Sequence, residues 1–446
     1  MDFQMLNISV PRYTSYPTVP FWKTEAFEKS EYEKSLINVY WESSRNVSLY
    51  IHLPFCERLC TYCACNTRIT KNHKLELPYV NYLLKEWALY LDKLPEKPTV
   101  KEIHLGGGTP TFFAPENLEK LIEGILKSGV VASVPQFSFE GHPANTTASH
   151  LHTLRKMGFN RVSYGIQDFD IQVQKLINRI QSFDQVKVVT EEARALGYES
   201  VNYDLIYGLP GQTEKSLSST IEKVITLKPE RIAYYSYAHV PQLKPAQKSF
   251  ERHLPSVEEK HTLRQIGKER LLNAGYLEIG MDHFVLPSDE LVRAQTKGDL
   301  HRNFMGYTPF TSKLLIGLGV SAISDSWSSF AQNEKTVNAY YAQLDQGKLP
   351  IARGHLHTAT DLFIRKHILN LMCNFHTTWM PQEFIQYGLS FNHELLARLE
   401  DANHISYSEE GLQVNYSGRE IIRIICSALD PDFNLAGQSP CFSKSI

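Results

Sequence analysis

An excess of charge of either sign is missing from this chain: 46 Lys and Arg stand against 48 Asp and Glu, a net charge of −2 over 446 residues. Nucleic acids and anionic membrane surfaces attract a cationic excess, so neither is an expected partner. No apolar run reaches the roughly 18 residues needed to span a bilayer. The opening Met1-Asp2-Phe3-Gln4 lacks the basic start and apolar segment of a secretory leader. A cytoplasmic protein with reduced thiols is therefore expected. Internal repeats and low-complexity tracts are also absent, which sets aside a solenoid or a disordered array. Cysteine is scarce, seven in all, yet four of the seven fall within ten residues of one another.

What is present is ordinary for a globular protein, with 42% hydrophobic and 21% charged residues. A chain of 446 residues exceeds what one hydrophobic core supports, so two units are expected. The 23 tyrosines and 22 phenylalanines suit a well-packed core and are compatible with an aromatic ligand.

The clustered cysteines are Cys56, Cys60, Cys63 and Cys65, the first three spaced C-x3-C-x2-C. Three thiolates on one short loop can hold three irons of a [4Fe-4S] cluster and leave the fourth iron open for chemistry. Cys65 lies only two residues beyond Cys63, too near to wrap a further cubane corner easily. The alternatives are a disulfide pair and a structural zinc site. Zinc asks for a second ligand pair at a distance, and the remaining Cys373, Cys426 and Cys441 are single and scattered, as core or surface thiols are.

Strand-like and helical runs then alternate. Strands are expected at 48–53, 100–105, 136–140, 161–167, 200–206 and 231–237, and helices at 77–94, 115–127, 148–157, 184–196 and 214–227. Six such units predict a parallel sheet with right-handed crossovers. They are too few for a closed eight-fold barrel, so a partial, TIM-like (β/α)6 barrel is expected, with a doubly wound sheet as the alternative. In both, ligands bind at the C-terminal strand ends. Those ends carry the cysteine loop, Gly106 to Thr109, Glu140, Gln167, Asp204 and Ala238. The alternation breaks at Pro255. The expected division is an N-terminal extension over the active site (1–40), an α/β core (41–285), a connecting segment that completes the site (286–355) and a smaller, mostly helical C-terminal domain (356–446) with a hairpin at 411–415. Residues 439–446 read as an untethered tail.

Cysteines at this spacing followed by Gly106-Gly107-Gly108-Thr109-Pro110 resemble the radical S-adenosylmethionine superfamily. The free backbone N–H groups of that glycine turn could receive the cofactor's carboxylate. Further blocks extend the likeness: Pro11-Arg12-Tyr13-Thr14-Ser15-Tyr16-Pro17-Thr18, Gly165-Ile166-Gln167-Asp168-Phe169, Asn202 to Pro210, Tyr237 to Pro241, Gly280 to Phe284, Gly319 to Ser324 and Cys373-Asn374-Phe375. Together they resemble the oxygen-independent coproporphyrinogen III oxidases over nearly the whole chain.

That resemblance implies a [4Fe-4S] cluster held by Cys56, Cys60 and Cys63, and two molecules of S-adenosylmethionine. Tyr50, Gly107 and Glu140 would hold the cluster-bound molecule, with Ile323 lining the same region. Tyr62, Gly108, Thr109, Gln167, Arg179, Asp204 and Ala238 would surround the second. It implies catalytic roles for Cys65, Tyr50 and Glu140, a low-potential electron donor such as flavodoxin or ferredoxin, and a monomer. The implied reaction converts two propionates of coproporphyrinogen III to vinyl groups through a 5′-deoxyadenosyl radical, giving protoporphyrinogen IX. Such a tetracarboxylate needs cationic partners, for which Arg12 and His301-Arg302-Asn303 are candidates. One departure is Gly141-His142-Pro143, where the family has a hydrophobic residue, Asp and Pro. Two rival readings are a haem-binding chaperone, which usually has Phe in place of Cys65 and lacks the Pro-Arg-Tyr-Thr-Ser-Tyr-Pro block, and a radical methyltransferase that opens the haem ring.

Overall fold

The first expected strand forms as β1 (Asn46–Leu53), with Val47, Leu49, Ile51 and Leu53 fully buried. The structure, a computed structural model, describes residues 8–387, 391–435 and 442–444. Five more strands follow: β2 (Thr99–Gly107), β3 (Val130–Gly141), β4 (Arg161–Gln167), β5 (Ser200–Tyr207) and β6 (Arg231–Ser236). They lie side by side in chain order, all parallel. Right-handed crossovers between consecutive neighbours put every connecting helix on one face. A doubly wound sheet would reverse its order at a switch point, so the strand order selects the partial barrel.

The connecting helices are Glu76–Lys93, Pro115–Lys127, Ala148–Lys156, Phe183–Ala195 and Glu214–Leu227. Pro115 sits at the start of its helix, where no N–H is needed, and Leu118, Leu121, Ile122 and Ile125 are buried along one stripe. Ser182 and Gln185 form a capping box at the start of Phe183–Ala195, and Gly197 at φ +83° follows its end. The largest departure from the expected bounds is β3, which begins six residues before 136. Val130 and Val131 pair with Thr99 and Val100, and the register then shifts before Glu102 meets Gln136. The extra residues bulge outward, leaving Val134 exposed, and the bulge hides the strand from a period-2 reading.

Six further strands extend the sheet to twelve. On one edge, β7 (Leu277–Ile279) and β8 (His283–Val285) run antiparallel beyond β6. A separate hairpin follows, β9 (His301–Asn303) with β10 (Gly306–Thr308). On the other edge, β11 (Leu315–Leu318) joins β1 in parallel, and β12 (Ile323–Asp325), β13 (Ser329–Asn333) and β14 (Ile351–Leu356) continue antiparallel. Among the described residues β14 and β7 do not pair, so the barrel stays open.

After the helix Ala359–Asn374, β15 (His376–Thr378), β16 (Ile405–Ser408) and β17 (Gly411–Val414) make a small sheet in the order β15-β17-β16, and the expected hairpin is β16–β17. One continuous buried cluster runs from Val10 through the barrel to Leu429. No helix among the described residues is long and apolar enough to cross a membrane.

The expectation of an untethered C-terminal tail is corrected where the tail is described. Lys444 bridges Ser9, and Val10 N–H donates to Ser443 O at 3.2 Å. Arg423 explains the tether, because its guanidinium donates to Pro11 O (3.0 Å), Lys444 O (2.7 Å), Ser443 O and Val10 O. A buried guanidinium needs such acceptors, and the two chain ends supply them. Cys441 lies outside the described residues.

Candidate active site

The cysteine loop leaves β1 at Pro54 and is pinned at both ends. Cys56 O accepts from Thr70 N–H (2.9 Å) and Pro54 O from Arg68 N–H (2.7 Å). Phe55 packs among Tyr79, Phe112 and Phe113, with ring centroids 5.4, 5.6 and 5.6 Å away. The far side docks on the turn after the short helix Ile171–Leu176, where Thr61 N–H donates to Ile177 O (3.0 Å) and Asn178 Nδ2 to Leu59 O (2.7 Å).

The glycine turn ends β2 beside this loop, and its role differs from the one expected. Gly107 N–H donates to Glu140 Oε2 (3.2 Å), Gly108 N–H to Leu53 O (2.8 Å) and Thr109 N–H to Phe55 O (3.0 Å). These groups are engaged within the protein rather than free for a ligand carboxylate. What the glycines provide is room. A Cβ on Gly107, at φ +115°, would lie 2.6 Å from the His52 ring, and one on Gly108 would lie 2.6 Å from the Pro54 backbone.

Loop, turn and strand ends enclose a cavity of about 640 Å³. Cys56, Cys60, Tyr62, Cys63, Cys65, Gly107, Gly108, Thr109, Glu140, Gln167, Arg179 and Asp204 all line it. Three expected residues do not. Tyr50 stands behind the wall on β1, stacked on His104 with centroids 6.0 Å apart. Ala238 is tied to the loop through Gln247, whose amide donates to Ala238 O (3.2 Å) and Tyr62 O (3.0 Å). Ile323 begins β12, two strands from β1, half-buried and paired with Gln332.

The described cysteines are all free, which removes the disulfide alternative. Among the described residues no three His, Cys, Asp or Glu donors converge on one point, as a single zinc ion requires. A cubane asks less, because each iron takes its own thiolate; three thiols lining one cavity suffice. A hydrogen bond from Cys65 draws the Cys63 thiol down to about 6, with Lys244 and Arg179 adding to it. Burial pushes the Cys56 thiol up to about 11, against a contact with Thr109 Oγ1 at 3.4 Å. Arg179 Nη1 lies 3.7 Å from Cys60 Sγ.

Polar residues cross the barrel interior in register. Tyr50 pairs with His104, His104 with Ser138, Glu140 with Ser163, and Ser163 with Asn202. His52 donates through Nε2 to Asn66 O (2.8 Å), which leaves Nδ1 to accept the Tyr50 hydroxyl (3.0 Å). Burial holds that imidazole neutral. Burial also pushes Glu140 up, but His104 Nε2 (3.4 Å) and Gly107 N–H outweigh it and keep the carboxyl below its ordinary range. Asp204 goes the other way, to about 6, through burial and then the Glu140 charge. Asn202 Nδ2 (2.9 Å) and Ser163 Oγ (3.1 Å) hold it in place. Two neighbouring carboxyls thus have their affinities for protons pushed apart. His142, the departure noted above, lines the cavity, and burial and then Arg179 lower it to about 3, so it is neutral.

Gln167, on the cavity wall, combines two local costs. Its backbone is left-handed at φ +65°, and its buried Oε1 has no partner. Strain and an orphaned acceptor together are costs that persist where a ligand relieves them. The sequence reading missed His52, His104, Ser163 and Tyr235. Their signal was present as polar residues at every second position of strands otherwise reading as core.

A parallel partial barrel with four free thiols clustered at the C-terminal mouth of a polar cavity has the architecture of a radical S-adenosylmethionine enzyme. Residues 50–224 match the radical SAM superfamily. Over 442 residues the chain is 38% identical to the oxygen-independent coproporphyrinogen III oxidase of Pseudomonas aeruginosa, covering 95% of this chain and 94% of the relative. It is 37% identical to the enzyme of the same name from Escherichia coli over 99% of this chain and 97% of the relative. The solved structure of the Escherichia coli coproporphyrinogen III oxidase, described as a radical SAM enzyme, superposes with a TM-score of 0.88 at 36% identity, over 94% of this chain and 97% of that one. The chain belongs to the oxygen-independent coproporphyrinogen III oxidase family of radical SAM enzymes. These relatives do not favour the haem chaperone or the ring-opening methyltransferase.

Proposed function

We propose that this chain converts two propionate side chains of coproporphyrinogen III to vinyl groups, giving protoporphyrinogen IX. The observation that carries the reading is the cavity itself, where four thiols, two carboxyls with opposed proton affinities and an orphaned Gln167 amide line the mouth of a barrel in a fold shared over 94% of the chain.

When bound, a [4Fe-4S] cluster with S-adenosylmethionine would supply radical hydrogen-atom abstraction at the propionate β-carbon, with loss of carbon dioxide and transfer of the remaining electron to an external acceptor. Cys56, Cys60 and Cys63 would hold the cluster, each through its thiolate. Ionised Glu140 suits an ammonium group and the Asn202-braced Asp204 suits ribose hydroxyls. Arg179, held by Gly165 O at 3.2 Å through Nε, offers donors to a carboxylate. Two cofactor molecules would share the cavity, the second nearer Tyr62, Gln167 and Asp204. Tyr50 would act through His52 and His104, and Cys65 at the cavity edge would serve catalysis rather than cluster ligation. A low-potential donor such as flavodoxin or ferredoxin and a cytoplasmic, monomeric enzyme complete the proposal.

The test is a product assay with anaerobically reconstituted protein, coproporphyrinogen III, S-adenosylmethionine and a low-potential reductant. Protoporphyrinogen and carbon dioxide are expected. Haem binding without decarboxylation would sink the reading.

A further inference from the structure

The hairpin β9–β10 buries polar atoms that nothing in the protein binds. His301, Arg302 and Asn303 are 4, 3 and 4% exposed. Yet His301 Nε2, Arg302 Nε and Nη1, and Asn303 Nδ2 have no hydrogen-bond partner. Asn303 uses its other side-chain atom locally, accepting Met305 N–H at 2.8 Å. Arg302 is the extreme case, because among the described residues no carboxylate ion-pairs with it. An uncompensated buried guanidinium is among the more costly features a fold can carry.

Its position gives the cost a purpose. Met305, Gly306, Tyr307 and Thr308, at the turn and second strand of the hairpin, line an inner cavity of about 140 Å³. Glu140, Asp204 and Tyr235 border both this cavity and the larger one. The Arg302 guanidinium lies 4.6 Å from the centre of the Tyr307 ring. Arg12, from the N-terminal extension, lies 5.4 Å from the centre of the Tyr235 ring. Two cations thus stand against two tyrosines of one cavity wall. Arg12 is already paired with Asp282 at 2.7 Å; Arg302 keeps its donors free. The Arg302 charge also reaches Tyr235 and His283 on that wall.

We propose that Arg302 is a carboxylate-binding residue of the substrate pocket, donating from its free N–H groups to a propionate other than the one reacting, with Arg12 as the second cation of that subsite. This rests on the reading of the substrate as a tetracarboxylate porphyrinogen. It also makes Arg302 a determinant of specificity, since an uncharged ester of the same macrocycle would leave the guanidinium unpaired.

The experiment uses Arg302→Met in the full chain and the stable tetracarboxylate coproporphyrin III as binding probe, beside its tetramethyl ester. Removing an unpartnered buried charge in favour of an apolar chain should leave the melting temperature unchanged or raised. The affinity for the tetracarboxylate should fall roughly ten- to a hundredfold, the loss of one charge-assisted hydrogen bond, while ester binding stays as in wild type. Arg302→Lys, which keeps the charge, should recover part of the affinity. A lowered melting temperature in Arg302→Met would show a structural role and overturn the proposal, as would unchanged tetracarboxylate affinity. If wild-type protein binds coproporphyrin III but yields no decarboxylated product, the proposed reaction fails while the subsite is still decided by the binding ratio.

Discussion

Gly108→Ala separates two accounts of the glycine turn. If the turn existed to present backbone N–H groups to a ligand, an alanine would keep the N–H and cost the protein little. The geometry says otherwise. A Cβ at 108 would stand 2.6 Å from Pro54 C, 2.7 Å from Pro54 O and 2.8 Å from Phe55 O, all backbone atoms that cannot rotate away. The loop must move off β2, which loosens the bonds from Gly108 N–H to Leu53 O and from Thr109 N–H to Phe55 O. Overpacking costs about 1–3 kcal/mol and each loosened bond about 1 kcal/mol, so a loss of about 3–5 kcal/mol is expected. Gly106→Ala is the control, since its Cβ meets Tyr50 Cε2 at 3.0 Å and Glu140 Oε1 at 3.1 Å. Those are side-chain atoms able to yield a few tenths of an ångström, and about 1 kcal/mol is expected. Urea unfolding of the iron-free proteins, followed by circular dichroism, measures both losses. Iron content after anaerobic reconstitution reads the loop, because Cys56 follows the displaced residues directly. Equal stabilities for the two variants, or full iron loading in Gly108→Ala, would refute the steric account.

Cys65→Ser should keep nearly full cluster iron and lose turnover; loss of iron would make Cys65 a ligand. Asp204→Asn should stabilise the iron-free protein at neutral pH. The folded carboxyl titrates near 6, above its ordinary value, so burial penalises folding once the group is ionised. The gain is therefore absent below about pH 4, grows through pH 6 and is complete above it, at no more than about 2–3 kcal/mol. Stability curves at pH 4 and 8 check the sign, and cofactor affinity should fall in the same variant. Arg423→Gln should release the clasp on Pro11 and Lys444, costing about 2–4 kcal/mol. Limited proteolysis should then cut the N-terminal extension first, and coproporphyrin III affinity should drop as Arg12 loses its seat.

The barrel was legible because its signals are local. Each strand of β1 to β6 carries a short apolar run, each helix a stripe such as Leu118, Leu121, Ile122 and Ile125, and caps such as Ser182 mark the starts. The site was legible for a different reason: Cys56, Cys60 and Cys63 share one loop, Glu140 and Gln167 lie at or next to strand ends, and Asp204 lies in the C-terminal half of β5. The added strands β7, β8 and β11 to β14 were not legible. They are three to six residues long, too short for a clear period-2 pattern, and they attach to the barrel through pairings distant in sequence, β11 with β1 and β8 with β6. Nothing local specifies such pairing. Arg423 shows the same limit, since its partners at Val10 and Ser443 come from the two chain ends.

The polar stripe from Tyr50 and His52 across His104, Ser138, Glu140, Ser163, Asn202 and Asp204 lies where packing alone would place Val, Ile and Leu. Much of it is mutually satisfied, with His52 on Asn66 O, His104 on Glu140, and Asn202 on Asp204. Such a network specifies one arrangement but stabilises less than an apolar core would. Among the buried polar atoms without a partner, Gln167 Oε1 belongs to a residue of the larger cavity wall, and the Arg302 donors belong to the hairpin whose turn and second strand line the inner cavity. On the reading proposed above, Gln167 serves the cofactor and Arg302 a substrate carboxylate, and each gains a partner only when its ligand binds. Substitutions that cure either orphan should therefore raise stability and lower binding together, and a variant that raised both would break this link.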